Sequence, residues 1–223
     1  MIYFSPTKIS RIYAQRGAKL VICDYNEKGL AETVDECRFI RQKTFPDDKT
    51  SQPGQDHLLT DHSSVIGIKT DVTKEEDCAA FINLAIEKFK RIDILLLCAG
   101  IGAHNEFSKT KDLSIYRKCI DVNYYGYLYC TYYAYPHLIA SGGVLTAVTS
   151  MSGDIGLPLR TAYCASKFAV TGFLESLYVF SSLLFSSSFS SCYDPIPFTP
   201  TAMTNPITFS HIFLPVSMVY DHS

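Results

Sequence analysis

Ile92-Asp93-Ile94-Leu95-Leu96-Leu97-Cys98-Ala99-Gly100 decides how the chain is read. A nearly unbroken apolar run that stops at two small residues is the pattern of a strand buried on both faces. Such strands belong to parallel sheets, whose crossovers need about a dozen residues or more and are usually helices. The flanking sequence supplies both. Just upstream, Thr73 and Glu76 have capping-box spacing, and Cys78, Phe81, Ile82, Ala85, Ile86 and Phe89 recur at helical intervals. Val65 to Lys69 is a second short strand, followed by Asp71-Val72-Thr73. Earlier still, Lys19 to Cys23 is a strand ending at Asp24, and Asn26 is placed to cap a helix carried by Leu30, Val34 and Cys37. Gly17 suits the end of a preceding helix. Downstream, a helical stretch runs from about Lys111 to Ile139, a strand from Val144 to Thr149, and a helix from about Thr161 to Tyr178. This alternation implies βαβ units and an α/β protein. Ligands of such sheets bind beyond the carboxyl ends of the strands. Asp24, Asp71-Val72, Cys98-Ala99-Gly100 and Thr149-Ser150 therefore belong to one reading.

The 223 residues suffice for one domain with a sizeable core. A hydrophobic share of 47% against 19% charged excludes global disorder and a coiled coil. The formal net charge of -2 offers no basic field for sequence-independent nucleic-acid binding. None of the eight cysteines forms a C-x-x-C pair, and several sit in apolar runs. They read as reduced core thiols of an intracellular protein, without a disulfide frame or zinc site. His62, His104, His137 and His211 lack metal-ligand spacing. Met1 to Ser10 lacks the apolar run of a signal peptide. The nearest approach to a membrane span, Phe173 to Cys192, is broken by Glu175 and by serines. A soluble, cytoplasmic chain is expected. Two segments break the α/β pattern. Residues 38–64 read as a long polar loop, either an insertion or an error in the gene model. Residues 181–223 open with seven serines in eleven positions and continue through Pro195, Pro197, Pro200 and Pro206 as an irregular tail.

The sharpest chemical signal is Tyr163-Cys164-Ala165-Ser166-Lys167. On a helix, Tyr163 and Lys167 share one face. A free phenol titrates near about 10 and is a poor base at neutral pH; a nearby ammonium favours the phenolate. The pair can then give and take a proton at a carbonyl or alcohol, although such a pair by itself is commonly structural. Ser150 ends a strand in a small polar loop, where a hydroxyl can reach a substrate oxygen, and Asn123 lies earlier on the long helix.

In these residues the chain resembles the short-chain dehydrogenase/reductase family, from about Gln15 to Leu177. Asp71-Val72, Ala99-Gly100, Asn123, Ser150, Gly156-Leu157-Pro158 and Tyr163-x-x-x-Lys167 occur in the family's order. Val122-Asn123-Tyr124-Tyr125-Gly126 looks most like the hydroxysteroid-dehydrogenase-like branch. The resemblance implies a Rossmann-type, doubly wound parallel sheet forming a single domain over residues 1–180. It also implies an NAD(P)-dependent oxidoreductase that interconverts an alcohol and a ketone or aldehyde, steroid- or lipid-like substrates included. By the same resemblance Tyr163 is the acid/base and Lys167 lowers its pKa and holds the nicotinamide ribose. Ser150 binds the substrate oxygen, and Asn123 holds a water in a proton relay. Asp71 and Val72 contact the adenine, while Ala99 and Gly100 line the cofactor. Asp24, ending the second Rossmann strand, would accept from a ribose 2′-hydroxyl and repel a 2′-phosphate, which favours NAD over NADP. The alternative for Asp24 is a turn or helix-start acid. Tyrosine fills seven of the twelve positions from Tyr124 to Tyr135, with Tyr125, Tyr129 and Tyr132 on one face. Core or subunit packing suits them, and the resemblance implies a homodimer or homotetramer.

The departures from the family are equally specific. No T-G-x-x-x-G-x-G turn is present, and Gly17 is the first glycine. The first strand and the backbone N–H groups that would bind the pyrophosphate are therefore expected to be missing. Two parallel half-sheets with unpaired edges should result, with Met1 to Phe4 a weak substitute for the strand. N-N-A-G is replaced by Leu97-Cys98-Ala99-Gly100. The strand and Pro-Gly loop expected after Leu177 are not evident, Thr199 to Met203 being at most a remnant. Two other readings stay open: an inactive truncated form acting as a binding or dimerisation partner, and a piece of a longer active product.

Overall fold

The computed structural model describes residues 6–46, 64–185 and 208–214. Met1 to Phe4, most of the polar loop, His62, Cys192 and Thr199 to Met203 lie outside the described residues. The chain gathers into two compact units, Met1–Lys90 and Arg91–Ser223, and each is described by itself.

In the first unit, α1 (Pro6–Gln15) ends at Gly17, whose φ of 79° is the left-handed turn a glycine makes without strain. β1 (Leu20–Asp24) pairs in parallel with β2 (Val65–Lys69), Leu20 opposite Val65 and Asp24 opposite Lys69. Between them runs α2 (Glu27–Thr44). Asn26 caps it as expected, its side chain accepting the Gly29 N–H at 3.2 Å. The core joins Ala14, Leu30, Val34, Cys37 and Val65. α2 continues well past Arg38, where the loop was expected to begin. Arg38 and Arg41 carry the buried face onward with polar ends: Arg38 Nε donates to the Val65 carbonyl at 3.2 Å and Arg41 Nη1 to that of Ala18 at 2.6 Å. Their stems pack while their heads satisfy backbone groups at the strand starts.

α3 (Glu75–Phe89) follows β2 and buries Cys78 and Ile82. The expected capping box does not form. Lys74 occupies the cap without a side-chain bond, because Asp71 Oδ1 takes both the N–H and the hydroxyl of Thr73, at 3.1 and 2.7 Å. Thr73 is held in that turn and the helix starts after it.

The second unit holds a parallel sheet ordered β3 (Ile94–Leu97), β4 (Val144–Ser150), β5 (Thr208–Leu214). Ile94 lies opposite Val144, and Val144 opposite Thr208. Leu95 and Leu97 are buried, but Ile94 is 43% exposed, so β3 is buried on one face and not on both. The expected helix from about Lys111 to Ile139 is instead α4 (Ser114–Ile120), one wider turn of π type at Asp121–Tyr125, and α5 (Gly126–Ser141). A Schellman pair closes α5: Gly142 N–H donates to the Ile139 carbonyl and Gly143 N–H to that of Leu138. α6 (Thr161–Phe185) runs beyond Tyr178 into the expected tail. β5 is a second correction to that tail, since these residues find seven partners along β4. Neither helical nor alternating periodicity announces them; the open edge of β4 supplies the order.

Among the described residues β1 pairs only with β2, and β3 only with β4, so each sheet has an edge strand. This matches the two half-sheets expected without a first strand.

Candidate active site

β4 ends in Ser150, and the chain makes a tight 3-10 turn at Met151–Gly153 in which Ser150 Oγ accepts the Ser152 N–H at 3.1 Å. A methyl group on Gly153 would lie 2.6 Å from Thr171 Oγ1 and 2.9 Å from the Lys167 carbonyl, so this glycine lets α6 pack directly on the turn. The packing brings the face of α6 bearing Tyr163 and Lys167 to the end of β4. The Tyr163 side chain hydrogen-bonds to Ser150. Lys167 is 4% exposed, with Nζ donating to the Val148 carbonyl at 3.2 Å. That carbonyl also accepts the Tyr127 hydroxyl at 3.1 Å. The ammonium lies 5.5 Å from the Tyr127 ring centroid and 5.8 Å from that of Tyr163.

Asn123 sits in the widened turn and is fully buried. Its Oδ1 accepts the Ile101 N–H at 2.8 Å, and its Nδ2 donates to the Ile101 carbonyl at 3.0 Å and to Ser166 Oγ at 2.8 Å. Ser166 Oγ in turn donates to the Tyr163 carbonyl at 2.7 Å. Asn123 therefore ties the loop after β3 to the second turn of α6. Gly100 belongs to the same cluster: a methyl group there would lie 3.3 Å from Asn123 Oδ1 and 3.8 Å from Lys167 Nζ. The structure thus brings together Gly100, Asn123, Ser150, Tyr163 and Lys167, with Ala99 beside Gly100 in the chain.

The electrostatics differ from the simple expectation. Burial is the largest influence on Tyr163 and raises its pKa, against the Ser150 hydrogen bond and the Arg160 charge, which lower it. Burial also brings Lys167 down to about 8, and the neighbouring Cys98 thiol up to about 12. The lysine is thus a buried cation close to losing its proton, and its presence does not bring Tyr163 below the ordinary phenol.

The remaining expected residues lie in the first unit, at the carboxyl ends of its strands. Asp24 ends β1, exposed, with Oδ1 accepting the Asn26 N–H at 2.8 Å. Asp71 is partly buried and its Oδ1 holds Thr73; the Val72 carbonyl accepts from Cys78 Sγ at 3.6 Å. Sequence reasoning passed over Ser166, Tyr127 and Arg160. Ser166 and Arg160 each stand three residues from Tyr163, one helical turn away, and that spacing was the available signal. Tyr127 was hidden among its neighbouring tyrosines. Among the described residues the cysteines are free thiols, five of them buried, and no cluster of His, Cys, Asp and Glu can hold a metal.

The family model described as short chain dehydrogenase matches residues 47–179, more than half of the chain. The chain belongs to the short-chain dehydrogenase/reductase family. It is 32% identical to a Dictyostelium discoideum dehydrogenase/reductase SDR family protein 7-like over 171 residues, which are 76% of this chain and 49% of that protein. It is also 32% identical to the 11-beta-hydroxysteroid dehydrogenase A of Sesamum indicum over 167 residues, 75% of this chain and 42% of that one. The chain thus spans about half the length of these curated relatives. Among solved structures, a short-chain dehydrogenase/reductase from Burkholderia phymatum in complex with NAD superposes with a TM-score of 0.70 at 21% identity. That match covers 94% of this chain and 61% of the other. An alcohol dehydrogenase from Thermococcus sibiricus complexed with 5-hydroxy-NADP gives a TM-score of 0.65 at 19% identity, covering 77% of this chain and 64% of the other. These likenesses establish the α/β, Rossmann-type fold. Among the described residues, no helix is long and apolar enough to cross a membrane.

Proposed function

We propose that the chain acts as an NAD(P)-dependent oxidoreductase that interconverts an alcohol and a ketone or aldehyde, with Tyr163 as acid/base. The observation that carries this reading is the hydrogen bond of the Tyr163 side chain to Ser150, with Lys167 buried behind the ring. A substrate oxygen placed against both hydroxyls would be oriented by Ser150 and would exchange its proton with Tyr163. Lys167 supplies a cation from beneath. Asn123 uses both amide N–H bonds on Ile101 and Ser166, so a relay water would rest on the remaining lone pair of Oδ1.

Taken separately, each unit carries residues that suit part of a nicotinamide dinucleotide. Gly100 leaves the space before Asn123 and Lys167 clear of a side chain, and Asp24 offers an acceptor to a ribose hydroxyl, favouring NAD. When bound, such a cofactor supplies the hydride. Met151, Ile155 and Leu159 are each more than 40% exposed beside Ser150 and Tyr163, and this apolar rim favours a hydrophobic substrate.

Tyr163→Phe is the test. Oxidation of a panel of hydrophobic alcohols with NAD should fall by about two to four orders of magnitude, while NADH binding survives. Equal turnover by both proteins would sink the assignment.

A further inference from the structure

Arg160 precedes α6 by one residue and Tyr163 by one helical turn. Its guanidinium carbon lies 5.8 Å from the Tyr163 ring centroid, inside the range of cation–π attraction. Among the described residues no carboxylate pairs with it. The backbone around it is closely held. Leu159 has a φ of 61°, a conformation a leucine takes only where its surroundings impose it. The Leu159 carbonyl accepts the Asn105 N–H at 2.9 Å, and the Arg160 carbonyl accepts the Cys164 N–H at 2.7 Å.

We propose that Arg160 is a positioning residue of the active site, a second cation that steadies the negative charge of the Tyr163 phenolate from the solvent side. The inference rests on Tyr163 acting as acid/base. Arg160 and Lys167 stand equally far, 5.8 Å, from the centroid of the same ring. They differ in what pH does to them. Lys167, brought down to about 8 by burial, loses its charge as the solution becomes alkaline. A guanidinium keeps its charge throughout. Around the ring, Ser150 favours the ionised phenol by its hydrogen bond, whereas Cys119 and Cys164 oppose it. Tyr127 is also coupled to Tyr163, but burial keeps its phenol protonated far above neutral pH. Cys119 is pushed up to about 11 and is neutral at working pH. Ile101, Ile115 and Tyr116 complete the packing. Of these groups Arg160 is the cation that persists when Tyr163 ionises.

The experiment follows the titration of Tyr163 itself and needs no turnover. The chain is labelled with ring-carbon-13 tyrosine, and the Tyr163 resonance is identified among the fifteen by its loss in Tyr163→Phe. Arg160→Gln should raise the Tyr163 midpoint by between about half a pH unit and two units, the field of one charge at this distance between water-like and near-surface screening. Arg160→Lys should restore only part of the difference, because an ammonium is losing its own proton over the range in which Tyr163 titrates. Coincident titrations of wild type and Arg160→Gln would overturn the proposal. A second measurement needs no variant: high salt should raise the wild-type midpoint by screening a half-exposed guanidinium, and an unmoved midpoint counts against it. Wild-type turnover by Tyr163→Phe would instead overturn the reaction assignment, so the two failures are told apart.

Discussion

At the scale of single residues, Lys167 is where the proposed chemistry and stability pull apart most clearly. Its folded-state pKa of about 8 lies below the ordinary 10.5. Between those values the unfolded chain holds more protons than the folded one, so this group makes stability rise with pH across that window. Below about 8 the folded protein carries the full cost of a buried charge. Lys167→Met should therefore unfold at higher denaturant at pH 7, by about 1–3 kcal/mol. Its advantage should shrink between pH 8 and 10. Urea melts across that range check the sign: a variant weaker than wild type at pH 7 would mean the Val148 bond outweighs the burial. The partnership of Tyr163, Lys167 and Ser150 was legible because helical spacing and strand ends are written in residue order. The direction in which Tyr163 is perturbed was not, since it depends on burial by side chains distant in sequence.

At the scale of elements, the widened turn between α4 and α5 does what a regular helix would not. It sets Asn123 where three hydrogen bonds bind Ile101 and Ser166, a use in keeping with the frequency of π turns at functional sites. Asn123→Leu would leave the Ile101 N–H and carbonyl and the Ser166 hydroxyl without this partner. A loss of about 2–4 kcal/mol is expected in thermal or urea unfolding. Gly153→Ala acts on the neighbouring joint. Its methyl group would meet the Lys167 carbonyl at 2.9 Å, backbone that cannot rotate away. The end of α6 would shift, with a loss of about 1–3 kcal/mol and a disturbed Tyr163–Ser150 bond, visible in the same Tyr163 titration. The apolar rhythm of the long helix was legible, but the extra residue in one turn was not, because widening leaves the periodicity on either side intact. Likewise α2 was cut short at Arg38 because a buried face carried by arginines looks polar in sequence.

At the scale of the whole molecule, the order of strands and helices was readable from alternation and loop signals alone. Without a glycine-rich turn two parallel sheets were expected, and among the described residues the strands fall into two. β5 was not legible, since pairing with an existing edge orders a strand that its own composition does not announce. Cofactor binding is the property that tests the assembled molecule. A saturating excess of NADH, at about 100 times its dissociation constant, should add about 2.7 kcal/mol, and so raise the thermal midpoint by roughly 5–10 °C for a chain of this size. NADPH should raise it less, on the proposal that Asp24 accepts from the ribose 2′-hydroxyl and repels a 2′-phosphate. Equal shifts would remove Asp24 from cofactor selection, and no shift with either would remove the cofactor from this chain. The parallel register of β5 on β4 also has a consequence for biosynthesis. Val144 to Ser150 leave the ribosome well before Thr208 to Leu214 exist, and at roughly 5–20 residues per second the interval is several seconds. Throughout that time one edge of a seven-residue strand presents bare amides and carbonyls. Nascent chains on one polysome are then exposed to mutual strand pairing, and chaperone demand should peak in that interval.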